Sequence, residues 1–215
     1  MNFVLAPAPV AYLYDNAPQL PEGDPVDPRE LVGSGTAPIE LEIGPGRGWF
    51  LFERLEAAPR VCLIGLEVRR KWAQIVDQRL ASRGHGARAR VFAEDARLAV
   101  RRFPDACVAV VFVHFPDPWW KKRHQKRLVV TTELGNEAAR ILVPGGQLFV
   151  QTDVAERAEA YQEALGAVSG LEPAGDEGPR IGENPFEARS PRERRCIEDG
   201  LPIHRLLYRR TSSSP

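Results

Sequence analysis

Five short apolar runs alternate with amphipathic stretches from Pro38 onward, and this alternation constrains the fold of the 215-residue chain more than any other feature. The runs predict strands at 39–43, 61–66, 90–93, 107–114 and 147–152. The clearest intervening helix is predicted over 69–82, where Trp72, Ile75, Val76 and Leu80 recur at helical spacing. Such alternation is typical of an α/β fold, with a mostly parallel sheet and helices on both faces.

The two ends of the chain lack this alternation. Residues 1–37 are rich in proline and acidic side chains without sustained periodicity, so we expect an arm or linker there. Residues 38–210 are expected to form one domain, with an arginine-rich turn before its last strand. The last predicted helix, Gly- and Pro-rich loop and strand lie at 155–165, 170–182 and 203–208. Residues 211–215 are expected to be a disordered tail.

Charge and cysteine usage exclude several classes of protein. The formal net charge is +0, which argues against a protein that coats nucleic acid indiscriminately but leaves room for local basic patches. The three cysteines are far apart and form no C-x-x-C pair, so we expect neither a zinc site nor disulfides, and a reducing cytosol. No apolar run approaches the roughly 20 residues that span a bilayer, and no export signal is recognisable. We therefore expect a cytoplasmic protein without a membrane segment.

A glycine-rich segment, Glu42-Ile43-Gly44-Pro45-Gly46-Arg47-Gly48, follows the first predicted strand. Glycines let the backbone turn tightly and let a ligand approach where a Cβ atom would clash. A nicotinamide-binding loop is expected to read G-x-G-x-x-G, whereas this one reads G-x-G-x-G with Glu42 two residues before the first glycine. The pattern resembles that of class I methyltransferases and predicts a cofactor loop. A tight strand-to-helix turn without a ligand is the alternative.

The next two predicted strands each end in an acid. Glu67 follows Leu66, where a carboxylate can accept both ribose hydroxyls of a nucleoside cofactor. Asp95 follows the third strand, where a carboxylate can accept the adenine amino group. Each acid alone could be a helix cap or a solvated side chain. Because parallel strands end at the same edge of a sheet, acids after three successive strands converge on one crevice.

The fourth predicted strand runs into Phe115-Pro116-Asp117-Pro118-Trp119-Trp120 and then a basic run over 121–127. Two prolines restrict the backbone around Asp117, two indoles supply flat stacking faces, and the run holds five Lys or Arg residues without an acid. A rigid acid, stacking rings and cations that neutralise phosphates are typical of a nucleic-acid site. A solvated basic helix start beside two packed Trp residues is the alternative.

These motifs carry a resemblance to a known family. The segment that begins at Phe115 reads Phe-Pro-Asp-Pro-Trp-x-Lys-Lys-Arg-His-x-Lys-Arg and resembles the signature of the bacterial tRNA (guanine-N7)-methyltransferases, the TrmB family. The order of motifs from Glu40 to Arg210 is also similar to the family's. Gln151-Thr152-Asp153 resembles its Thr-Asp element after the fifth strand. Ser190-Pro191-Arg192-Glu193 falls where the family carries Thr-Lys-Phe-Glu, so Pro191 and Arg192 depart from the pattern.

The resemblance implies a class I methyltransferase-like, Rossmann-like fold, S-adenosylmethionine as the methyl donor, and tRNA as the substrate, modified at guanosine 46 of the variable loop. The residues it implies at the donor site are Glu42, Gly44, Gly46, Gly48, Glu67, Asp95 and Asp117. The residues it implies for tRNA binding are Lys121, Asp153, Ser190, Pro191, Arg192 and Glu193. Asp117 and Asp153 are the candidate catalytic residues. An ordinary S-x-x-E helix cap is the alternative for Ser190 and Glu193.

The implied chemistry needs few groups. Guanine N7 carries a lone pair and no proton, so its methylation requires alignment with the methyl donor and no strong general base. Asp153 is the first candidate to hold the guanine through its N1 and N2 donors, with Asp117 bridging cofactor and base. No metal requirement is expected, because the four histidines lack metal-ligand spacing, and His114 is expected to pack at a strand end. No obligate protein partner is evident.

Two further interpretations stay open at this stage. The first is a nicotinamide-dependent oxidoreductase on a related sheet, which binding of NAD in place of S-adenosylmethionine would reveal. The second is a tRNA-binding protein that has lost catalysis. The second is disfavoured because every candidate acid of the donor site is present.

Overall fold

The computed structural model describes residues 14–33, 35–117 and 128–212. Within these residues the sheet has eight strands: β1 (Ile39–Ile43), β2 (Cys62–Leu66), β3 (Ala89–Phe92), β4 (Val108–His114), β5 (Leu142–Thr152), β6 (Leu171–Pro173), β7 (Arg180–Ile181) and β8 (His204–Arg210). Their order is β3-β2-β1-β4-β5-β8-β6, with β7 beside β8. The first five strands run parallel, and β8 is antiparallel to β5. The predicted α/β fold with a mostly parallel sheet is confirmed.

Helices cover both faces of this sheet. They are α1 (Pro28–Leu31), α2 (Trp49–Ala57), α3 (Arg70–Ser82), α4 (Ala96–Ala99), α5 (Thr132–Ile141), α6 (Ala155–Gly166) and α7 (Pro191–Glu198). Every residue of β1 and β2 is buried, because the odd and even side chains of a parallel strand each face a helical layer. One face packs against a core that contains Leu134 of α5 and Tyr161 of α6, and the other packs against Phe50 and Leu51 of α2.

The strand positions agree closely with the sequence pattern except at β5. Strands β1 to β4 begin and end within one residue of their predicted bounds. Strand β5 begins at Leu142 instead of 147, because the chain pairs with β4 before and after a Pro-Gly-Gly irregularity. The register shifts between Val108 and Val110, which is the signature of a bulge. In the sequence, Pro-Gly-Gly indicates a turn, so the residues of β5 that precede it were not predicted to be part of the strand.

The described part of the predicted N-terminal arm differs from a linker. Ala17, Leu20, Val26 and Val32 are each at most 6% exposed and pack into the domain's core. Its backbone is also bonded to the domain, since Val26 N–H donates to the carbonyl of Arg102. Apolar residues separated by prolines have no helical or strand period, so the sequence pattern could not reveal that they are buried.

The C-terminal segment contains more regular structure than predicted. The loop predicted over 170–182 includes the short strands β6 and β7, both paired with β8. The arginine-rich turn contains helix α7, which begins with Pro191 in the first helical turn and has Ser190 as its N-cap. The last strand ends at Arg210, two residues beyond its predicted end. These additions place α7 near the carboxyl edge of the parallel strands.

Candidate functional site

The glycine loop between β1 and α2 combines open space with close packing. Gly44, Gly46 and Gly48 all have positive φ, a conformation that side chains with a Cβ atom adopt at a cost. A Cβ atom at Gly44 would meet nothing within 4 Å, whereas one at Gly48 would lie 2.4 Å from Cγ1 of Val76 in α3. Gly48 is therefore needed for packing between the loop and α3. Gly44 leaves the space above the sheet free.

That space is an open cavity of about 480 Å³ at the carboxyl edge of the parallel strands. It is lined by the ends of β1, β2 and β4 and by the residues that follow β3, as expected for a ligand site in an open α/β sheet. Three of the four acids predicted for the donor site lie in its wall: Glu67, Asp95 and Asp117. Of the acids after three successive strands that were expected to converge, Glu67 and Asp95 line the cavity and Glu42 does not, while Asp117 lines it from the end of the fourth strand.

Glu67 ties the glycine loop to the second strand. Its Oε2 accepts a hydrogen bond from Gly46 N–H at 2.9 Å, and its Oε1 accepts from both N–H and Nε of Arg69 at 2.9 Å. The carboxylate is 2% exposed, while the Arg69 side chain is 61% exposed. The hydrogen bond with Glu67 raises the pKa of Arg69. Arg69 Nη2 also donates to Oε2 at 3.5 Å, so Gly46 and Arg69 together bond both oxygens and hold the carboxylate beside the loop.

Asp95 shows the same arrangement one strand further along. Its Oδ1 accepts from N–H and Nε of Arg97 at 3.0 and 2.9 Å, which caps α4. The side-chain hydrogen bond with Arg97 holds the pKa of Asp95 below its usual value. Both alternatives raised from sequence, a helix cap and a cavity-lining carboxylate, apply to this residue.

Asp117 reaches the cavity through a strained backbone. Phe115, directly after β4, has φ of 46°, which is uncommon for a residue with a Cβ atom. Its N–H donates to the carbonyl of Gln151 at 2.8 Å, which fixes the turn against β5. The turn brings Phe115, Pro116 and the exposed Asp117 into the cavity wall. Backbone strain of this kind is concentrated at ligand sites.

Glu42 lies deeper than the other acids. It is 2% exposed, is absent from the cavity wall, and its Oε1 accepts from Nδ1 of His114 at 2.9 Å. Its Oε2 and Nε2 of His114 have no hydrogen-bond partner among the described residues. Gln151, beside His114 in the sheet register, is likewise buried with both amide atoms unbonded there. A polar layer with unfilled hydrogen-bonding capacity thus lies under the glycine loop and the end of β4.

Asp153 is not in the cavity wall, and it pairs with the last helix. Its Oδ2 accepts from Nε of Arg192 at 3.0 Å and also contacts Nη2 of that residue. The ion pair raises the pKa of Arg192. Two residues predicted to contact tRNA are therefore brought together, although 39 residues separate them in sequence. Arg192 provides a charge where the family pattern has Phe.

Ser190 and Glu193 form the helix cap that was the alternative interpretation from sequence. Ser190 Oγ accepts from Glu193 N–H at 3.2 Å. Glu193 is fully buried, and its carboxylate accepts from Asn184 Nδ2 at 2.9 Å and from Arg205 Nη2 at 3.0 Å. These contacts fix the start of α7, where Pro191 stands at the first helical position. Glu193 thereby positions Arg192 against Asp153.

Several residues of the site were missed from sequence. Arg69 and Arg97 each stand two residues after a predicted cofactor acid, and that repeated acid-x-Arg spacing was a usable signal. The prediction that His114 packs at a strand end is confirmed, since its side chain is 3% exposed, yet its pairing with Glu42 was not foreseen. Lys121 and the rest of the basic run lie outside the described residues. In the part of the chain that is described, no group of three or more potential ligands could hold a metal ion.

Comparison with known proteins identifies the family. A family model described as "Putative methyltransferase" matches residues 36–206. A tRNA (guanine-N(7)-)-methyltransferase from Anaeromyxobacter dehalogenans is 39% identical over 184 residues, which cover 84% of this chain and 89% of that protein. Another from Myxococcus xanthus is 34% identical over 203 residues, which cover 94% of each. The chain belongs to the tRNA (guanine-N7)-methyltransferase family.

Solved structures with the same fold have diverse activities. The 16S rRNA methyltransferase KamB matches with a TM-score of 0.58 at 16% identity and covers 85% of this chain and 90% of its own. The [4+2]-cyclase SpnF matches with a TM-score of 0.56 at 16% identity and covers 86% and 79%. Because a cyclase shares the fold, the architecture alone does not specify a reaction. Family membership and the site residues favour the methyl-donor interpretation of the glycine loop over the nicotinamide one.

Proposed function

We propose that the chain transfers the methyl group of S-adenosylmethionine to N7 of a guanine in tRNA and so forms 7-methylguanosine. The observation that carries this proposal is the convergence of the glycine loop, Glu67, Asp95 and Asp117 on one cavity at the carboxyl edge of the sheet. Relatives that cover most of the chain are named for the same reaction.

The cavity suits the donor. S-adenosylmethionine supplies an electrophilic methyl group and carries a ribose, an adenine and an ammonium group. Glu67 can accept the ribose hydroxyls when the exposed side chain of Arg69, which bonds both oxygens of this carboxylate, moves aside. Asp95 can accept from the adenine amino group, and the open space at Gly44 leaves room for the ligand backbone. Glu42 lies behind this wall, where its negative charge favours a cationic ligand without direct contact.

The acceptor side is assigned to Asp153 and Asp117. Asp153 offers carboxylate oxygens to the N1 and N2 donors of guanine, and it also favours the positive charge that develops on the methylated ring. Arg192 holds this carboxylate and is 47% exposed, so it can contact an RNA phosphate at the same time. Asp117, at the cavity wall, lies on the donor side of the base. Positioning supplies the catalysis, because N7 needs no deprotonation.

Two finer statements belong to the proposal. The target is guanosine 46 of the variable loop, as the family resemblance implies, and Lys121 contributes to tRNA binding. The site of action is the cytoplasm, where tRNA is found. None of the helices in the described segments is long and apolar enough to cross a membrane.

The test is incubation with labelled S-adenosylmethionine and unmodified tRNA, followed by nucleoside analysis. We expect label in 7-methylguanosine, and its loss when a transcript carries adenosine at position 46. Label on protein, on a small molecule or on another nucleoside would refute the proposal. Tight tRNA binding without any transfer would favour a protein that has lost catalysis.

A variant separates base placement from RNA binding. Asp153→Asn keeps the shape but presents a donor to the N1 and N2 donors of guanine, so single-turnover methylation should fall by at least about tenfold, or about 1.4 kcal/mol in the barrier. The affinity for tRNA should change little, because phosphate contacts remain. Asp176→Asn, at an exposed turn, is the matched control and should retain the parent rate. An unchanged rate in Asp153→Asn would remove Asp153 from the active site.

A further inference from the structure

A surface beside the glycine loop alternates cationic and aromatic side chains. Cζ of Arg47 lies 5.0 Å from the ring centroid of Trp72, and Nζ of Lys71 lies 5.5 Å from the same centroid. Lys71 also lies 5.8 Å from the ring of Tyr14. Together with Trp49, which is 54% exposed, these residues form what we call the cation-aromatic ladder. Its order is Arg47, Trp72, Lys71 and Tyr14, and Trp49 follows Arg47 by two residues in the chain.

The ladder carries only positive charge. The segments 44–49 and 68–72 that supply most of it contain three Arg and one Lys residue and no acid. Arg47, Arg70 and Lys71 are exposed. Arg70 is also an anchor, since its guanidinium donates to the backbone carbonyls of Tyr14 and Asp15 at 3.3 and 2.9 Å. The N-terminal segment is thereby fixed against α3, and the ladder is preorganised.

The position of the ladder connects it with the donor cavity. Val68 and Arg69, directly before Arg70 and Lys71, line the cavity, and Val68 is 69% exposed there. The glycine loop that carries Arg47 forms another part of the same rim. None of the ladder's members belongs to the basic run over 121–127 that was predicted from sequence to bind phosphates.

Aromatic faces interleaved with cations favour one class of ligand. A protein surface that tracks single-stranded RNA needs rings on which bases stack and cations beside them for the phosphates. Paired RNA presents no free base faces to a ring, so the ladder suits an unpaired or splayed segment. Protein interfaces are also enriched in Trp, Tyr and Arg but depleted in lysine, so the central position of Lys71 in the ladder favours RNA.

We propose that the cation-aromatic ladder is a second RNA-docking surface, which holds an unpaired segment of the tRNA at the rim of the donor cavity. The inference rests on tRNA being the substrate, as proposed above. Arg47 and Lys71 neutralise phosphates of this segment, and Trp49 stacks on a base. The ladder acts in binding and takes no part in the transfer of the methyl group.

The first experiment tests the charges. In Arg47→Glu/Lys71→Glu, we expect tRNA affinity to fall about tenfold or more. The salt dependence should also weaken by roughly 0.7 to 0.9 units of slope for each lost phosphate contact. Arg60→Glu/Arg209→Glu is the matched control, because both residues are exposed and lie at the opposite edge of the sheet. S-adenosylmethionine affinity, measured by calorimetry, should match the parent in the control and in Lys71→Glu alone, because Lys71 lies outside the glycine loop.

The second experiment tests stacking with a short single-stranded RNA and a duplex of the same length. Trp49→Leu keeps apolar bulk without a ring and should weaken binding of the single strand roughly fivefold or more, whereas Trp49→Phe should retain most of it. Binding of the duplex should be nearly unchanged. Because Trp49 is exposed, these variants are expected to fold like the parent.

The outcomes separate this inference from the proposed function. If the parent neither binds nor methylates tRNA, the proposed function fails. If the parent methylates tRNA and the ladder variants bind it like the control, the second surface is refuted and the proposed function stands. A change of oligomeric state in the variants, seen by sedimentation with unchanged tRNA affinity, would show a protein interface and also refute the inference.

Discussion

The donor side and the acceptor side proposed above hold their acids in different ways. On the donor side, Glu67 and Asp95 are each bonded by an arginine only two residues further along the same loop. On the acceptor side, Asp153 is bonded by Arg192, and the contacts that place Arg192 come from other parts of the C-terminal segment. The donor side is thus built from local sequence, whereas the acceptor side depends on tertiary packing.

Burial differs between the two sides as well. The Asp95 and Arg97 side chains are 29% and 40% exposed, while Glu193 and Arg205 are 0% and 11% exposed. An exposed ion pair contributes little to stability, because water already solvates its charges. Removing one partner of a buried pair leaves the other charge without compensation. Loss of the buried Glu193–Arg205 pair should therefore destabilise the protein, whereas loss of the exposed Asp95–Arg97 pair should mainly affect ligand binding.

The largest expected effect is that of Glu193→Ala. The change leaves Arg205 without its buried carboxylate and removes the acceptor of Asn184, so the free energy of unfolding should fall by about 3 to 5 kcal/mol. Urea denaturation followed by circular dichroism measures this quantity. Asp95→Ala is the donor-side control and should cost less than about 2 kcal/mol, since it loses an exposed pair and a helix cap. Equal losses in the two variants would contradict the comparison.

A substitution at Gly48 in the glycine loop is expected to lower the stability of the fold, although it lies on the donor side. Gly48→Ala places a Cβ atom 2.4 Å from Cγ1 of Val76 at positive φ, so we expect a loss of about 2 to 4 kcal/mol. Gly44→Ala has the same unfavourable φ but no neighbour within 4 Å and should cost about 1 to 2 kcal/mol. The difference between the two midpoints of denaturation isolates the packing contribution. If the two variants are equally stable, the contact between the loop and α3 does not contribute to the stability of the fold.

The contrast between a donor side built from local sequence and an acceptor side built by tertiary packing also explains how much could be predicted from sequence. Strand ends, the glycine loop and the acids Glu67 and Asp95 are local features, so periodicity and spacing were sufficient to place them in one cavity. The depth of Glu42 behind the cavity wall could not be predicted, because spacing indicates which strand a residue ends but not how deeply its side chain is buried.

The contacts of the acceptor side could be predicted less well from neighbouring residues in the sequence. Asp153 was assigned to the substrate by its position after the fifth strand and by the family resemblance, and Arg192 by the resemblance alone; nothing in their spacing predicted that they pair. Leu20 and Val26, in the segment expected to be an arm, are buried by contacts with residues that are distant in sequence. Contacts of this kind form only in the assembled fold. A periodicity of apolar residues of 3.6 for helices or 2 for strands does not predict them.

An intermediate effect on ligand binding is expected for Glu67→Ala. The variant loses an acceptor for the ribose hydroxyls, so the affinity for S-adenosylmethionine should fall by about 1 to 3 kcal/mol as measured by calorimetry. Stability should change less, because Arg69 is 61% exposed and water can solvate it once the carboxylate is absent. Glu53→Ala, which breaks the ion pair with Arg194 away from the cavity, is the control and should bind the donor normally. Unchanged affinity in Glu67→Ala would place Glu67 outside the donor site.

The smallest effect is expected for Arg97→Ala and should depend on pH. Arg97 holds the pKa of Asp95 below its usual value, so the stability that ionised Asp95 contributes is complete above about pH 4 and is lost as the pH falls through the lowered pKa. At neutral pH the variant should therefore be less stable than the parent by under about 1 kcal/mol, and the difference should disappear in acid, where Asp95 is protonated in both proteins. Carboxyl NMR titration should show the pKa of Asp95 moving up towards its usual value in the variant. A stability difference that persists at low pH would mean that Arg97 acts through packing and not through its charge on Asp95.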